Sequence, residues 1–238
     1  MSRQFFTTWL EKEGLSLSQH QQKQFDEYFH LLVEWNKKMN LTGITEEDEV
    51  YEKHFYDSLT VAFFHDFTKV KKVIDIGAGA GFPSLPLKIA YPHLEVVIVD
   101  SLKKRITFLE HVAEQIGLDK VHFMHGRAEE LARKKELREQ FDVALARAVA
   151  RMPVLTELCL PFVQKNGAFL AMKGASGLEE KEEAGKAISQ LGGKWGEAYS
   201  LKLPGEESER SILKVEKVKE TPKAYPRKPG TPSRQPIV

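Results

Sequence analysis

The chain has 238 residues, 35 of them basic and 34 acidic, so it is long enough to bury a substantial core and carries no net field that would draw a polyanion to the molecule as a whole. Its single cysteine, Cys159, excludes an intramolecular disulfide and a Cys-rich metal site, and the neighbourhood LTELCLPF marks it as a buried structural thiol. The start, MSRQFFTTWLEKEG, lacks the apolar core of a signal peptide and no stretch approaches the ~20 apolar residues of a membrane span, so a soluble, cytoplasmic protein is expected.

Residues 1–68 read as a helical cap. Ser18 is placed to cap a helix in which Phe25, Phe29, Leu32 and Trp35 share one face. The turn segment NLTGIT follows, then acidic residues 46–49 that suit a helix start, and Tyr51, Phe55, Leu59 and Phe63 continue the stripe. Such an aromatic stripe serves either as core or as a base-stacking surface.

From Lys71 the pattern changes to alternating strand and helix. Residues 73–83, VIDIGAGAGFP, carry an apolar run with Asp75 into glycines at 77, 79 and 81. That is how a buried parallel strand ends where backbone must pass close to a ligand, since glycine tolerates positive φ and has no Cβ. The dinucleotide fingerprint Gly-x-Gly-x-x-Gly fails at Phe82, which disfavours a nicotinamide oxidoreductase. The pattern present, Gly-x-Gly-x-Gly after an acidic residue, resembles the first motif of the class I S-adenosylmethionine methyltransferases.

The next apolar run, LEVVIVD, ends on Asp100, 23 positions after Gly77 and close to the ~20 expected for a carboxylate that takes ribose hydroxyls. The other reading of Asp100 is a cap for the next helix, a task Ser101 offers independently. That helix places Leu102, Ile106, Leu109, Ala113 and Ile116 on one face and stops at Gly117. VHFM at 121–124 is the third strand. GRAEE after it offers Ala128 and Glu129 to an adenine edge, or simply two first-turn acids to a helix. FDVALA at 141–146 is the fourth strand, ending at Arg147, which suits a methionine carboxylate or an RNA phosphate, or stands as a solvated surface arginine. A helix across 152–163, the strand GAFLAM at 167–172 and a charged helix over 177–191 follow. Strands near 195–203 and 210–218, joined by PGEESE, predict a hairpin. The sheet domain thus spans 69–219, and 220–238 is a basic, proline-rich arm. From 214 to the end seven basic residues face two acidic ones, with Tyr225 available to stack. The arm suits phosphates of a nucleic acid, or mere solubility.

Across nearly its whole length the chain resembles the bacterial RsmG family (glucose-inhibited division protein B). The matching stretches are WNKKMNLTGI, HFYDSL, DIGAGAGFPSLPLKI, VDSLKKRITFLE, GRAEE, ARAVA and YPRKPGTPSRQP. The resemblance implies a class I methyltransferase fold, Rossmann-like, with a mostly parallel seven-stranded sheet and an antiparallel C-terminal hairpin. It implies methylation of guanine N7 in the 530 loop of 16S ribosomal RNA with S-adenosyl-L-methionine as cofactor, on free rRNA or the 30S subunit, by a monomer. Its cofactor contacts fall on Gly77, Phe82, Ala128, Glu129 and Arg147, and the strand ends add Ala78, Gly79 and Asp100. Arg147, Arg151, Lys173, Arg227 and Lys228 are candidates for holding RNA. No catalytic side chain is expected, because N7 bears a free lone pair and no proton. The (Asp/Asn)-Pro-Pro-aromatic signature of amino-group methylation is missing, with ARAVAR in its place, and Cys159 does not sit in a C5-pyrimidine motif. His54, His122 and His125 are read as structural or solvated. A small-molecule methyltransferase and a non-catalytic ribosome-assembly factor stay open as alternatives.

Overall fold

A computed structural model of the chain describes residues 2–238. The helix Gln19–Met39 starts where the sequence places it. Ser18 Oγ accepts from Gln21 N–H and Gln21 Oε1 accepts from Ser18 N–H, a reciprocal capping box, and Asn40 closes the helix in the left-handed region. Phe25, Tyr28, Leu31 and Leu32 are buried on one face, and Phe29 and Trp35 pack partly buried against the same core. The stripe is core.

Helix Glu47–Val50 runs without a break into a π-helical turn, Tyr51–Tyr56, and on into Asp57–Leu59. The wider turn changes which side chains share a face, a device common at functional sites. Here it lets Lys53, His54, Asp57 and Thr60 line one cavity.

Seven strands follow: β1 Lys72–Ile76, β2 Glu95–Asp100, β3 Val121–His125, β4 Phe141–Arg147, β5 Val163–Lys173, β6 Gly193–Lys202 and β7 Glu209–Lys217. Their order is β3-β2-β1-β4-β5-β7-β6. The first five are parallel, and β7 runs antiparallel to both β5 and β6. Side chains alternate as the two-residue period demands. Val73, Val96, Ile98, Val143 and Leu145 face the N-terminal helices, while Ile74, Val97, Val99, Ala144 and Ala146 face the opposite layer. The helical segment and one sheet face therefore share a single apolar core.

The helix expected near Arg127 is present, and two other elements differ from expectation. The charged helix over 177–191 is broken into Ala175–Leu178 (3₁₀), Glu180–Glu183 and Gly185–Gln190, in keeping with glycines at 174, 177 and 185 that weaken helix. The helix after Arg127 is one turn, Ala128–Leu131. No side chain caps the helix Lys103–Gln115, neither Ser101 nor Asp100, whose Oδ1 instead accepts from the N–H of the N-cap residue Leu102 at 2.8 Å.

The proline-rich C-terminal segment lies along the body. Prolines leave its carbonyls without local donors, and guanidinium groups supply them. Arg138 donates to the carbonyls of Thr221, Pro222 and Tyr225, and Arg133 to those of Ala224 and Pro226.

Candidate functional site

The strand order reverses between β1 and β4, and the carboxyl ends of these strands are where an open α/β sheet binds ligands. Gly77, at the end of β1, has φ +75°, and a Cβ there would stand 2.9 Å from Val149 Cγ2. Gly81 has φ +104°, and a Cβ would stand 2.5 Å from the Tyr28 hydroxyl. That hydroxyl donates to Ala80 O at 2.5 Å, so the helix Gln19–Met39 holds the glycine loop from below. Asp75 is fully buried beneath the loop, its Oδ2 accepting from Ser84 N–H at 3.1 Å. Burial pushes its carboxyl up to about 7, against the opposing pull of Ser84.

Two cavities meet at this switch point. The first, about 330 Å³, is lined by Gly77, Asp100, Arg105, Ala128, Glu129 and Ser233. Asp100 is nearly fully buried, and its Oδ2 accepts from Gly79 N–H at 3.2 Å and from Arg105 Nη1 at 3.3 Å. The Asp100 carboxylate thus stands at the mouth of the glycine loop, tied to it through Gly79. Glu129 is buried, with Oε1 accepting from Gly230 N–H at 2.9 Å.

The second cavity, about 320 Å³, is lined by Lys53, His54, Asp57, Arg147, Lys173 and Arg210, and Ala148 borders both. Arg147 Nη1 donates to Asp57 Oδ2 at 3.0 Å and to Lys53 O at 3.1 Å, while Nη2 reaches His54 Nδ1 at 3.3 Å. Arg210 Nε donates to the other Asp57 oxygen at 3.2 Å. The Arg147 guanidinium lies 5.0 Å from the centre of the Phe82 ring, on which His54 also stacks at 4.5 Å. Burial, then the Arg147 charge, lowers His54 to about 3, so its imidazole is neutral. Its Nδ1 lies between Arg147 Nη2 at 3.3 Å and Lys53 O at 3.2 Å, and its Nε2 faces Thr42 Oγ1 at 2.8 Å.

The structure brings Gly77, Asp100, Ala128 and Glu129 together on the first cavity, and Arg147 with Lys173 on the second. Ala78 and Phe82 are buried in the loop, and Gly79 is tied to Asp100. Lys173 Nζ donates to Ala150 O and Glu180 at 2.6 and 2.8 Å. Arg151 is exposed and paired with Glu183, and Lys228 is exposed. Arg227 grips the buried Glu157 through its backbone N–H, Nε and Nη2. Sequence reasoning missed Asp57, Arg105, Arg210 and Ser233 as lining residues. Asp57 lies inside the HFYDSL stretch and Arg105 one turn after Asp100, both visible signals. Arg210 sits on an antiparallel strand, and nothing local marks it.

The first cavity suits an adenosyl group: a close-approach glycine floor, a carboxylate at the end of β2, and the Ala128–Glu129 turn after β3. The second is lined by four cations and Asp57; Lys53 is paired with Glu49 and Glu206 and Lys173 with Glu180, so the two guanidinium groups that share Asp57 are the donors it offers an anionic, hydrogen-bonding partner. Cys159 is fully buried, which pushes its thiol well above the ordinary range and leaves it no thiolate character. Among the described residues, no helix is long and apolar enough to cross a membrane.

Residues 21–210 match the family model described as rRNA small subunit methyltransferase G. Proteins called ribosomal RNA small subunit methyltransferase G are similar over the whole chain. That of Listeria monocytogenes serotype 4b is 58% identical over 237 residues, covering 100% of both chains. That of Bacillus subtilis is 56% identical, covering 100% of this chain and 99% of the relative. Among solved structures, an O-methyltransferase from Bacillus cereus in complex with SAH superposes with a TM-score of 0.56 at 14% identity, covering 80% of this chain and 90% of that one. A 16S rRNA (adenine(1408)-N(1))-methyltransferase from Catenulisporales acidiphilia gives 0.54 at 16% identity, covering 66% and 87%. These two show the same class I methyltransferase fold.

Proposed function

The chain belongs to the rRNA small subunit methyltransferase G family, and from that premise we propose that it methylates N7 of a guanine in the 530 loop of 16S ribosomal RNA. The observation that carries the reading is the pair of cavities meeting at Ala148 on the switch point, one shaped for the adenosyl group and the other cationic. S-adenosylmethionine is the cofactor, and it supplies an electrophilic methyl group on a sulfonium.

The residues present fit it. Gly77 leaves space for the cofactor's close approach, Asp100 offers acceptor oxygens to the ribose hydroxyls, and Glu129 offers one to the adenine amine. Guanine N7 has a lone pair and no proton, so the chain needs no general base and contributes positioning alone. Arg147 and Arg210, fixed through Asp57, present donors to the guanine O6 or to phosphate. Neutral His54 and Phe82 hold the Arg147 guanidinium in place from beneath.

The test is methyl transfer from radiolabelled S-adenosylmethionine to 30S subunits lacking the modification, with wild type beside Gly77→Arg. Label on N7 of one guanine is expected with wild type. The variant, whose side chain fills the cofactor floor and meets Val149, is expected to transfer none. If wild type binds cofactor yet labels neither subunits nor naked rRNA, the rRNA reading fails, and a small-molecule substrate or a non-catalytic assembly role takes its place.

A further inference from the structure

Glu129 and Glu157 are both buried carboxylates beside the first cavity, and both are satisfied from the C-terminal segment. Glu157, 1% exposed, belongs to the helix Met152–Cys159, and its neighbour Leu158 lines the cavity. Its charge partner is Arg227, which donates from Nε to both oxygens and from Nη2 at 2.6 Å. Three residues on, Gly230 N–H points at Glu129 Oε1, and Gly230 takes φ +79°, a geometry glycine supplies. The chain then turns through Thr231–Arg234 and sets Ser233 on the rim of the same cavity as Gly77, Asp100 and Ala128. Ile237 is buried with the sheet layer beyond it. The segment is thus tied at Arg227, holds the lining residue Glu129 through Gly230, lines the cavity at Ser233, and is tied again at Ile237.

We propose that residues 221–238 are a strap that completes the cofactor site, with Gly230 orienting the Glu129 carboxylate and Ser233 closing the rim. This rests on the adenosyl reading of that cavity and goes beyond it. The basic, proline-rich arm, whose composition suits nucleic-acid phosphates or mere solubility, serves the cofactor first. Seating of the strap and cofactor binding then favour one another by linkage, each raising the other's equilibrium by the same factor.

The experiment uses the full chain and S-adenosylhomocysteine as probe, followed by calorimetry and amide hydrogen exchange. The ligand is expected to slow exchange across residues 225–234. Ser233→Trp, at an exposed position, is expected to weaken affinity about tenfold by crowding the rim, with an unchanged thermal midpoint. Because Arg227→Met alone strands a buried Glu157, the paired variant Arg227→Met/Glu157→Gln serves as the second test and is expected to weaken affinity by a similar factor. Wild-type affinity in both variants, or strap exchange that ignores the ligand, overturns the proposal; a strap devoted to RNA gives that result while altering subunit binding. No binding of the probe by wild type instead removes the adenosyl reading itself, and the strap's role with it.

Discussion

Asp75 and His54 are two buried ionisable side chains whose neutral forms burial favours, and their protons act on stability with opposite sign. The folded chain holds the Asp75 proton up to about pH 7, whereas the unfolded carboxyl, at its ordinary 3.8, has lost it, so this stabilisation is present at low pH and fades as pH rises from 4 to 7. His54 takes a proton in the unfolded chain near 6.5 but only near 3 when folded, so its contribution is lost as pH falls through that window. The two slopes offset between pH 4 and 6.5. Replacing His54 by Gln is expected to tilt the profile so that stability falls with rising pH by about 1.4 kcal/mol per unit relative to wild type; Asp75→Asn tilts it the other way. Urea unfolding at pH 4.5, 5.5 and 6.5 measures both. Asp57 is the other residue on which the site depends. Asp57→Ala leaves Arg147 and Arg210 facing one another across the second cavity, and a loss of about 3 kcal/mol is expected. Methyl transfer should vanish while S-adenosylhomocysteine still binds, which calorimetry on the folded variant checks. At this scale the glycines, Asp100 and Arg147 were legible because strand ends nominate their own residues. Arg210 was not, since it reaches the site only through pairing of β7 against β5.

Among the elements, the helix Gln19–Met39 and the glycine loop are a single unit. Tyr28 donates to Ala80 O and stacks against Phe82 at 5.6 Å, so the helix determines where the loop stands. Gly81→Ala places a methyl 2.5 Å from the Tyr28 hydroxyl and 2.8 Å from Leu85, at a φ that alanine resists. A cost of about 2–3 kcal/mol is expected, with weaker cofactor binding following from the displaced loop. Chemical denaturation beside calorimetry separates the two effects, and Gly79→Ala, with nothing within 4 Å, gives the strain without the clash. The Ser18 cap and the parallel strands were legible because each follows a local rule; the reciprocal bond from Gln21 was not read. The π-helical turn at Tyr51–Tyr56 was not, because a helical stripe reads the same whether a turn holds 3.6 residues or more. The break at 177–191 was missed because the Glu and Lys pattern was given more weight than the local helix-weakening of the glycines at 177 and 185.

For the molecule as a whole, near-neutral net charge hides a division of labour among its basic groups. Arg133, Arg138 and Arg227 are spent on the C-terminal segment, whereas Arg151 and Lys228 stand at the surface. If these last two meet phosphates of single-stranded rRNA, each alanine substitution is expected to lower the salt slope of subunit binding by about 0.7. A composition count saw only the total and not the pairing. The border at Ala148 has a kinetic meaning. On the proposed assignment of adenosyl group and base to the two cavities that share Ala148, neither reactant would have to traverse the place of the other. Arrival should follow no compulsory order, and either product should be free to depart first. Initial-rate patterns then converge, and S-adenosylhomocysteine competes with the methyl donor while leaving the subunit's apparent affinity unchanged.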